Sequence, residues 1–337
     1  MQGLSEKEKI LKIVPEVVKT ALERISPHLK QTPILESKFL NLLLGHEIFF
    51  KAETFQKTGA FKARGALNAI LRLKEDGILP ERVVAFSSGN HAQGVAWAAS
   101  ETGIKSKIFL PKNVSSVKKA ATRHYGAEVI EVNSRQEAES LARAEVEKGA
   151  VLIPPFDNDD IIAGQGTACL EALEQGVKPD AVFAPVGGGG LISGSWLATR
   201  LACPTAKVFA AEPLNANDAA RSYRSGEIFK WPEQPETIAD GARTLALAER
   251  TFQYVQKISG IYEIAEEEII YWAQWLNHLL KITVEPTAAL AMAAAHQWLK
   301  NQEKGRKALV IISGGNMSEE TYRKIWAKDY LGKVPGF

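Results

Sequence analysis

The sequence predicts an α/β protein of two open lobes with mainly parallel sheets, and three observations predict it. Short β-branched or aromatic runs alternate with longer helical patterns along most of the chain. The length, 337 residues, exceeds one small domain and suits two α/β lobes. Three polar, glycine-bearing turns each close a strand, and ligands bind at the carboxyl ends of strands in open α/β sheets.

Taken in order, Val83-Val84-Ala85-Phe86, Lys107 to Leu110, Val129 to Val132 and Val151 to Ile153 read as strands, each a helix length from the next. The alternation resumes with Ala181 to Val186, Val208 to Ala211 and Ala308 to Ile312, the pattern of βαβ units. Ala66, Ala69, Ile70 and Leu73 follow helical spacing, as do Trp272, Trp275, Leu276 and Leu279. The tryptophan stripe reads as core or subunit interface rather than a ligand box. Trp231-Pro232-Glu233-Gln234-Pro235 reads as a surface loop rather than a domain boundary.

Composition narrows the partners. Hydrophobic residues make up 45% and charged residues 24%, and a formal net charge of +2 gives no reason to expect nucleic acid or an anionic membrane. No 18-residue apolar span appears, and the start lacks the apolar run of a signal peptide. Cys169 and Cys203 stand without CxxC spacing, so neither a disulfide framework nor a zinc cluster is supported. A soluble cytoplasmic protein acting on a small molecule is the expectation.

Lys62 carries the chemistry. It lies in Phe55-Gln56-Lys57-Thr58-Gly59-Ala60-Phe61-Lys62-Ala63-Arg64-Gly65-Ala66, at the threshold of a helix. A partly desolvated lysine between an aromatic and small residues loses its proton more readily and serves as nucleophile or base. That is what a Schiff base with an aldehyde cofactor requires. A lone lysine is more often a solvated surface residue, and it is the glycine-rich turns that shift the balance.

The first of these turns is Gly187-Gly188-Gly189-Gly190, directly after the strand ending at Val186, with Leu191-Ile192-Ser193-Gly194-Ser195 opening a helix. Uncovered N–H groups and the positive end of the helix dipole suit a phosphate dianion. A P-loop would need Gly-Lys-Ser/Thr here, and a dinucleotide fingerprint would need glycine where Ile192 stands. Glu212 does lie about twenty residues on, as a ribose-binding acid would. A structural turn is the bland alternative, although four glycines cost backbone entropy that a turn does not require. Ser87-Ser88-Gly89-Asn90-His91 is the second turn; a helix N-terminus with small hydroxyls seats a carboxylate, or Ser or Asn simply caps the helix. Ser313-Gly314-Gly315-Asn316 is the third.

Together these segments resemble the fold-type II pyridoxal-phosphate enzymes, in the branch of serine/threonine dehydratases and serine racemase. The ordered set FKxRGA, SSGNH, IAGQGT (Ile162 to Thr167), PVGGGG, AAEPxNA (Ala210 to Ala216), ADG (Ala239 to Gly241) and VEPTA (Val284 to Ala288) spans nearly the whole chain. The resemblance implies the tryptophan synthase β-like architecture, with a large cofactor-binding domain of residues 1–79 and 156–337. A small mobile domain of 80–155 would be inserted within it, the cofactor would lie in the cleft, and the chain would form a homodimer. Pyridoxal 5'-phosphate would be bound covalently by Lys62, beside Phe61. Gly187, Gly188, Gly189 and Gly190 would hold its phosphate. Asn90 would meet the ring hydroxyl, Ser313 the pyridine nitrogen, and Gly241 and Glu285 would line the ring. Ser88, Asn90 and His91 would gather the substrate carboxylate, with Ser88 an acid/base on the face opposite Lys62 and Asn316 in support.

The implied activity is β-elimination from a 3-hydroxy-L-amino acid such as threonine or serine, giving a 2-oxo acid and ammonia. Racemisation of a serine-like substrate is the alternative in the same cofactor class; a nicotinamide-dependent dehydrogenase is the alternative from another. Ala60, Ala289 and Arg243 depart from the commoner family pattern, and Arg243 bears on which substrate side chain is accepted. The segment from Glu212 to Asp218 places two carboxylates around an amide-rich turn, with the Ala216 carbonyl between them. In the resembling enzymes this segment binds Mg2+ or Ca2+. The other reading is that Asn217 or Asp218 caps the next helix while Glu212 makes a salt bridge.

Overall fold

The computed structural model describes residues 13–78, 80–87, 89–112, 116–332 and 334–335. In chain order the strands are β1 (Ile34–Leu35), β2 (Glu47–Ala52), β3 (Arg82–Phe86), β4 (Lys105–Pro111), β5 (Glu128–Val132), β6 (Val151–Leu152), β7 (Ala181–Pro185), β8 (Lys207–Pro213), β9 (Gly260–Ile264) and β10 (Lys307–Ile312). The helices that frame the site are α1 (Lys62–Glu75), α2 (Asn90–Glu101), α3 (Ser116–His124), α4 (Arg135–Glu147), α5 (Asp159–Glu174), α6 (Gly190–Ala202), α7 (Asp218–Ser225), α8 (Glu266–Leu280) and α9 (Pro286–Leu299).

Two sheets result. The six-stranded sheet runs β1-β2-β10-β7-β8-β9, and the four-stranded sheet runs β5-β4-β3-β6. Only the β1–β2 pairing is antiparallel among the described ladders. Strands of the second sheet all come from residues 82–152, whereas the first sheet is assembled from segments on either side of that stretch.

Both faces of the large sheet are covered, which is why its strands read as continuous apolar runs. Successive side chains alternate between faces. Phe183, Val310 and Ile312 pack with Trp272, Trp275 and Trp298 of α8 and α9, while Val182, Ala184, Leu309 and Ile311 pack with Leu170 and Leu197 of α5 and α6. The tryptophan stripe is thus core. In the smaller sheet Val83, Ala85, Ile108 and Leu110 face α1 and α2, and Val84, Phe109 and Val132 face α4.

The seven strands expected from the sequence are present, with ends shifted by one or two residues. The reading passed over β1, β2 and β9. Strand β1 is two residues long; β2 contains Lys51, which is fully buried because Glu171 meets its amine at 2.5 Å; edge strand β9 is only half-buried for most of its length. No described helix is long and apolar enough to cross a membrane.

Parallel pairing brings the carboxyl ends of neighbouring strands to one edge. In the larger sheet β7 runs there into the tetraglycine turn and α6, and β10 into Ser313; in the smaller sheet β3 leads on to α2. Beyond β2, the loop leading to α1 is pinned to the end of β10: the Phe61 N–H donates to the Ser313 carbonyl (3.0 Å) and the Gly315 N–H to that of Gly59 (3.0 Å). Lys62, the first residue of α1, is thereby fixed beside Ser313.

Candidate active site

A cavity of about 170 Å3 opens where segments from both sheets meet. Phe61, Lys62, Asn90, His91, Gly187 to Gly190, Gly241, Glu285 and Ser313 all line it. Residues far apart in sequence therefore converge as the motifs suggested. Ser88 lies outside the described residues.

Lys62 is half-buried, its Nζ donating to the Pro155 carbonyl at 2.7 Å and lying 5.0 Å from the centre of the Phe61 ring. Loss of water around the ammonium pushes its pKa down to about 7. Desolvation thus makes the free amine, the form that attacks an aldehyde, accessible near neutral pH.

The tetraglycine turn leaves no room for side chains. A Cβ on Gly188 would run into the Phe156 ring, one on Gly190 into Gln165, and one on Gly187 would approach the Gly241 carbonyl to 2.8 Å. Gly189 combines φ +89° with Thr251 at 2.7 Å from such a carbon. What remains exposed to the cavity is backbone, and the first N–H groups of α6 lack partners within the helix. This is a seat for a phosphate.

A polar network also forms in the cavity around the buried Glu285. The Asn90 amide donates to both Glu285 oxygens, the Asn316 N–H donates to Oε2 (3.0 Å), and the Asn316 amide donates to Asn90 Oδ1 (2.9 Å). Burial, reinforced by the charge of Asp240, raises Glu285 to about 7. The His91 ring is buried, and its Nε2–H donates to the Ile153 carbonyl at 2.8 Å. Burial, then the nearby Lys62 charge, push His91 down to about 3, so it is neutral and its Nδ1 is left without a partner. Ser313 Oγ is likewise buried and unpartnered. A neutral hydroxyl held at the cavity wall suits a heterocyclic nitrogen.

The model of a pyridoxal-phosphate dependent enzyme matches residues 25–314. The chain belongs to that family. An L-threo-3-hydroxyaspartate ammonia-lyase of Saccharomyces cerevisiae is 43% identical over 306 residues, 90% of this chain and 93% of that one. A serine racemase of Schizosaccharomyces pombe is 42% identical over 308 residues, covering 90% and 94%. Among solved structures, the serine racemase of Dictyostelium discoideum superimposes with a TM-score of 0.84 at 41% identity, covering 91% of this chain and 99% of that one. A threonine deaminase from T.th. superimposes with a TM-score of 0.85 at 43% identity and the same coverage. This is therefore a fold-type II enzyme of the lyase and racemase group with pyridoxal phosphate as its cofactor. An unpartnered Ser313 hydroxyl, a desolvated Lys62 and a bare glycine cradle fit that group.

Sequence reasoning missed Phe156, Lys118, Arg135, Gln234, Thr244 and Thr287, which also line the cavity of this pyridoxal-phosphate enzyme. Most carry no local signal. Phe156 follows Pro154-Pro155, and an aromatic after two prolines at a strand end was the one available hint.

Glu212, Ala216 and Asp218 form a separate cluster at the carboxyl end of β8. Both Glu212 oxygens accept N–H bonds from α7, from Ala219 and Ala220 at 2.9 Å each. Neither half of the capping alternative holds. Asn217 makes no cap bond and instead joins Glu263 (2.6 Å) and Arg221 (2.8 Å), while Glu212 does the capping in place of a salt bridge. Both Asp218 oxygens are buried without partners; burial raises Asp218 to about 7, and burial together with the Asp218 charge raises Glu212. Among the described residues no group of three or more His, Cys, Asp or Glu side chains gathers around one point.

Proposed function

We propose that the enzyme is a dehydratase, an ammonia-lyase that eliminates water from a 3-hydroxy-L-amino acid to give a 2-oxo acid and ammonia. The observation that carries this reading is the pairing, in one cleft, of a deprotonatable Lys62 with a neutral hydroxyl at Ser313. Bound here, pyridoxal phosphate supplies an electron sink for negative charge developing at the substrate α-carbon.

The chain's own residues do the rest. Lys62 would anchor the cofactor and, as a free amine, would accept the Cα proton. N–H groups of the tetraglycine turn hold the phosphate, and those at the start of α2, with Asn90 and His91, hold the substrate carboxylate. Because the His91 ring is spent on Ile153, its contribution there is its backbone N–H. Ser313 would offer the ring nitrogen a neutral partner, and the proton that Lys62 takes from Cα balances the one the 3-hydroxyl needs to leave as water. The enamine product isomerises and takes up water, releasing ammonia and the oxo acid.

Residues 80–155 act as the smaller lobe, closing on the larger one to exclude water. The protein is a homodimer; light scattering at working concentration showing monomer alone would count against this. Glu212, the Ala216 carbonyl and Asp218 would hold a structural Mg2+ or Ca2+ ion, whose charge would offset the two buried carboxyls. Oxo-acid and ammonia release across serine, threonine and 3-hydroxyaspartate tests the main reading. Stoichiometric formation of both supports it, and interconversion of enantiomers without oxo acid would instead make the enzyme a racemase.

A further inference from the structure

Arg243 stands out in the sequence, and the mechanism above leaves it unused. It follows the short helix Asp240–Ala242, lines the cavity, and has a buried Nε without a hydrogen-bond partner. Its backbone is fixed: the carbonyl accepts from Gln234 Nε2 at 3.2 Å, and the Gly241 N–H just before it donates to Thr287 at 3.0 Å. The nearest acid in sequence, Asp240, is taken by Lys118 Nζ at 2.7 Å. Glu285, the other carboxyl lining the cavity, is held by Asn90 and Asn316. Among the described residues no carboxylate pairs with Arg243. A partly desolvated guanidinium without an anion is unfavourable, and its planar fork matches a carboxylate.

The Lys118–Asp240 pair ties α3, beside the smaller sheet, to this segment, so Arg243 lines the cavity next to a contact between the two sheets' elements. Arg135, at the start of α4, lines the same cavity and adds to its positive field. Of the anions that enter the cleft, the cofactor phosphate has the tetraglycine N–H groups and the substrate α-carboxylate has those of α2. A second carboxylate on the substrate has none of these.

We propose that Arg243 binds the side-chain carboxylate of an acidic 3-hydroxy amino acid, making 3-hydroxyaspartate the preferred substrate class. The inference rests on the elimination reading above. Because the Gly241 carbonyl adjoins Gly187, the cofactor phosphate is the rival partner, and the test separates the two.

Parent, Arg243→Gln and Arg243→Lys holoenzymes are compared on threo-3-hydroxyaspartate, serine and threonine, with cofactor retention after gel filtration and calorimetric titration with succinate and butyrate. Arg243→Gln is expected to lose ~10²–10³-fold in kcat/KM on hydroxyaspartate, chiefly through KM, and no more than about threefold on serine and threonine. Succinate binding should weaken while butyrate binding stays, and Arg243→Lys should recover part of both losses. An equal loss on all substrates with cofactor released assigns Arg243 to the phosphate and overturns the proposal. So does a parent that prefers serine or threonine, which leaves the elimination reading standing. If the parent forms no oxo acid from any of them, that reading fails, and succinate alone then decides: unchanged affinity in Arg243→Gln overturns the assignment, and weakened affinity sustains it.

Discussion

The Asn90 side-chain amide donates to both oxygens of Glu285, at 3.0 and 3.1 Å, joining the first turn of α2 to the residue before α9 across the cleft. One residue follows the smaller sheet's β3; the other packs beside the larger sheet. With Asn316 bonded to both, to Glu285 through its backbone N–H and to Asn90 through its amide, the three residues form a partly buried network in which each hydrogen bond positions the next.

Replacing Glu285 by glutamine sets an amide donor against the donors of Asn90 and Asn316, leaving one unsatisfied at a cost of about 1–3 kcal/mol. We expect Glu285→Gln to fold, with activity reduced roughly tenfold or more. The pH dependence gives the sign. Burial holds Glu285 near 7 instead of 4.5, so the folded state keeps its proton where the unfolded chain has lost it. The stability this contributes is complete below 4.5 and is lost as pH rises through about 7. Melting temperature of the parent should therefore fall relative to Glu285→Gln between pH 5 and 8; parallel curves would show that Glu285 does not titrate there.

Gly188→Ala tests the phosphate cradle. The new methyl meets Phe156, so either the ring or the turn must shift. Fluorescence titration with pyridoxal phosphate should show affinity weakened about 100-fold with helix content unchanged, since the lost N–H alignment is local. Parent-like affinity would mean that the phosphate sits elsewhere.

Chelation addresses Glu212 and Asp218. Removing divalent cations should lower thermal stability and activity together, with Mg2+ or Ca2+ restoring both. In chelator, Asp218 held near 7 makes the folded state lose stability as pH rises through 7, so Asp218→Asn should melt above the parent at pH 8. Identical melting with and without chelator would leave Glu212 as no more than the cap of α7.

Much of this was legible in the sequence because the large sheet is covered on both faces. Runs such as Val182 to Val186 and Ala308 to Ile312 carry an apolar signal that needs no partner to be read. Lys51 shows where such reading fails: a lysine in a strand looks exposed until Glu171, distant in sequence, neutralises it. The tetraglycine turn announced itself because only glycine leaves backbone bare. Phe156, Lys118 and Thr287 did not, since nothing local marks a residue whose importance comes from facing another segment. The salt bridge expected of Glu212 failed for a related reason, its partners being N–H groups that any residue would carry.

The central claim is that Lys62 carries the cofactor. With Nζ held near 7, apoenzyme should capture pyridoxal phosphate faster as pH rises through 7. The decisive measurement is borohydride reduction of the holoenzyme followed by peptide mass mapping. A single pyridoxyl phosphate group on the peptide containing Lys62 is the predicted result. A label on another lysine, or no label on a protein that still turns over substrate, would contradict the account.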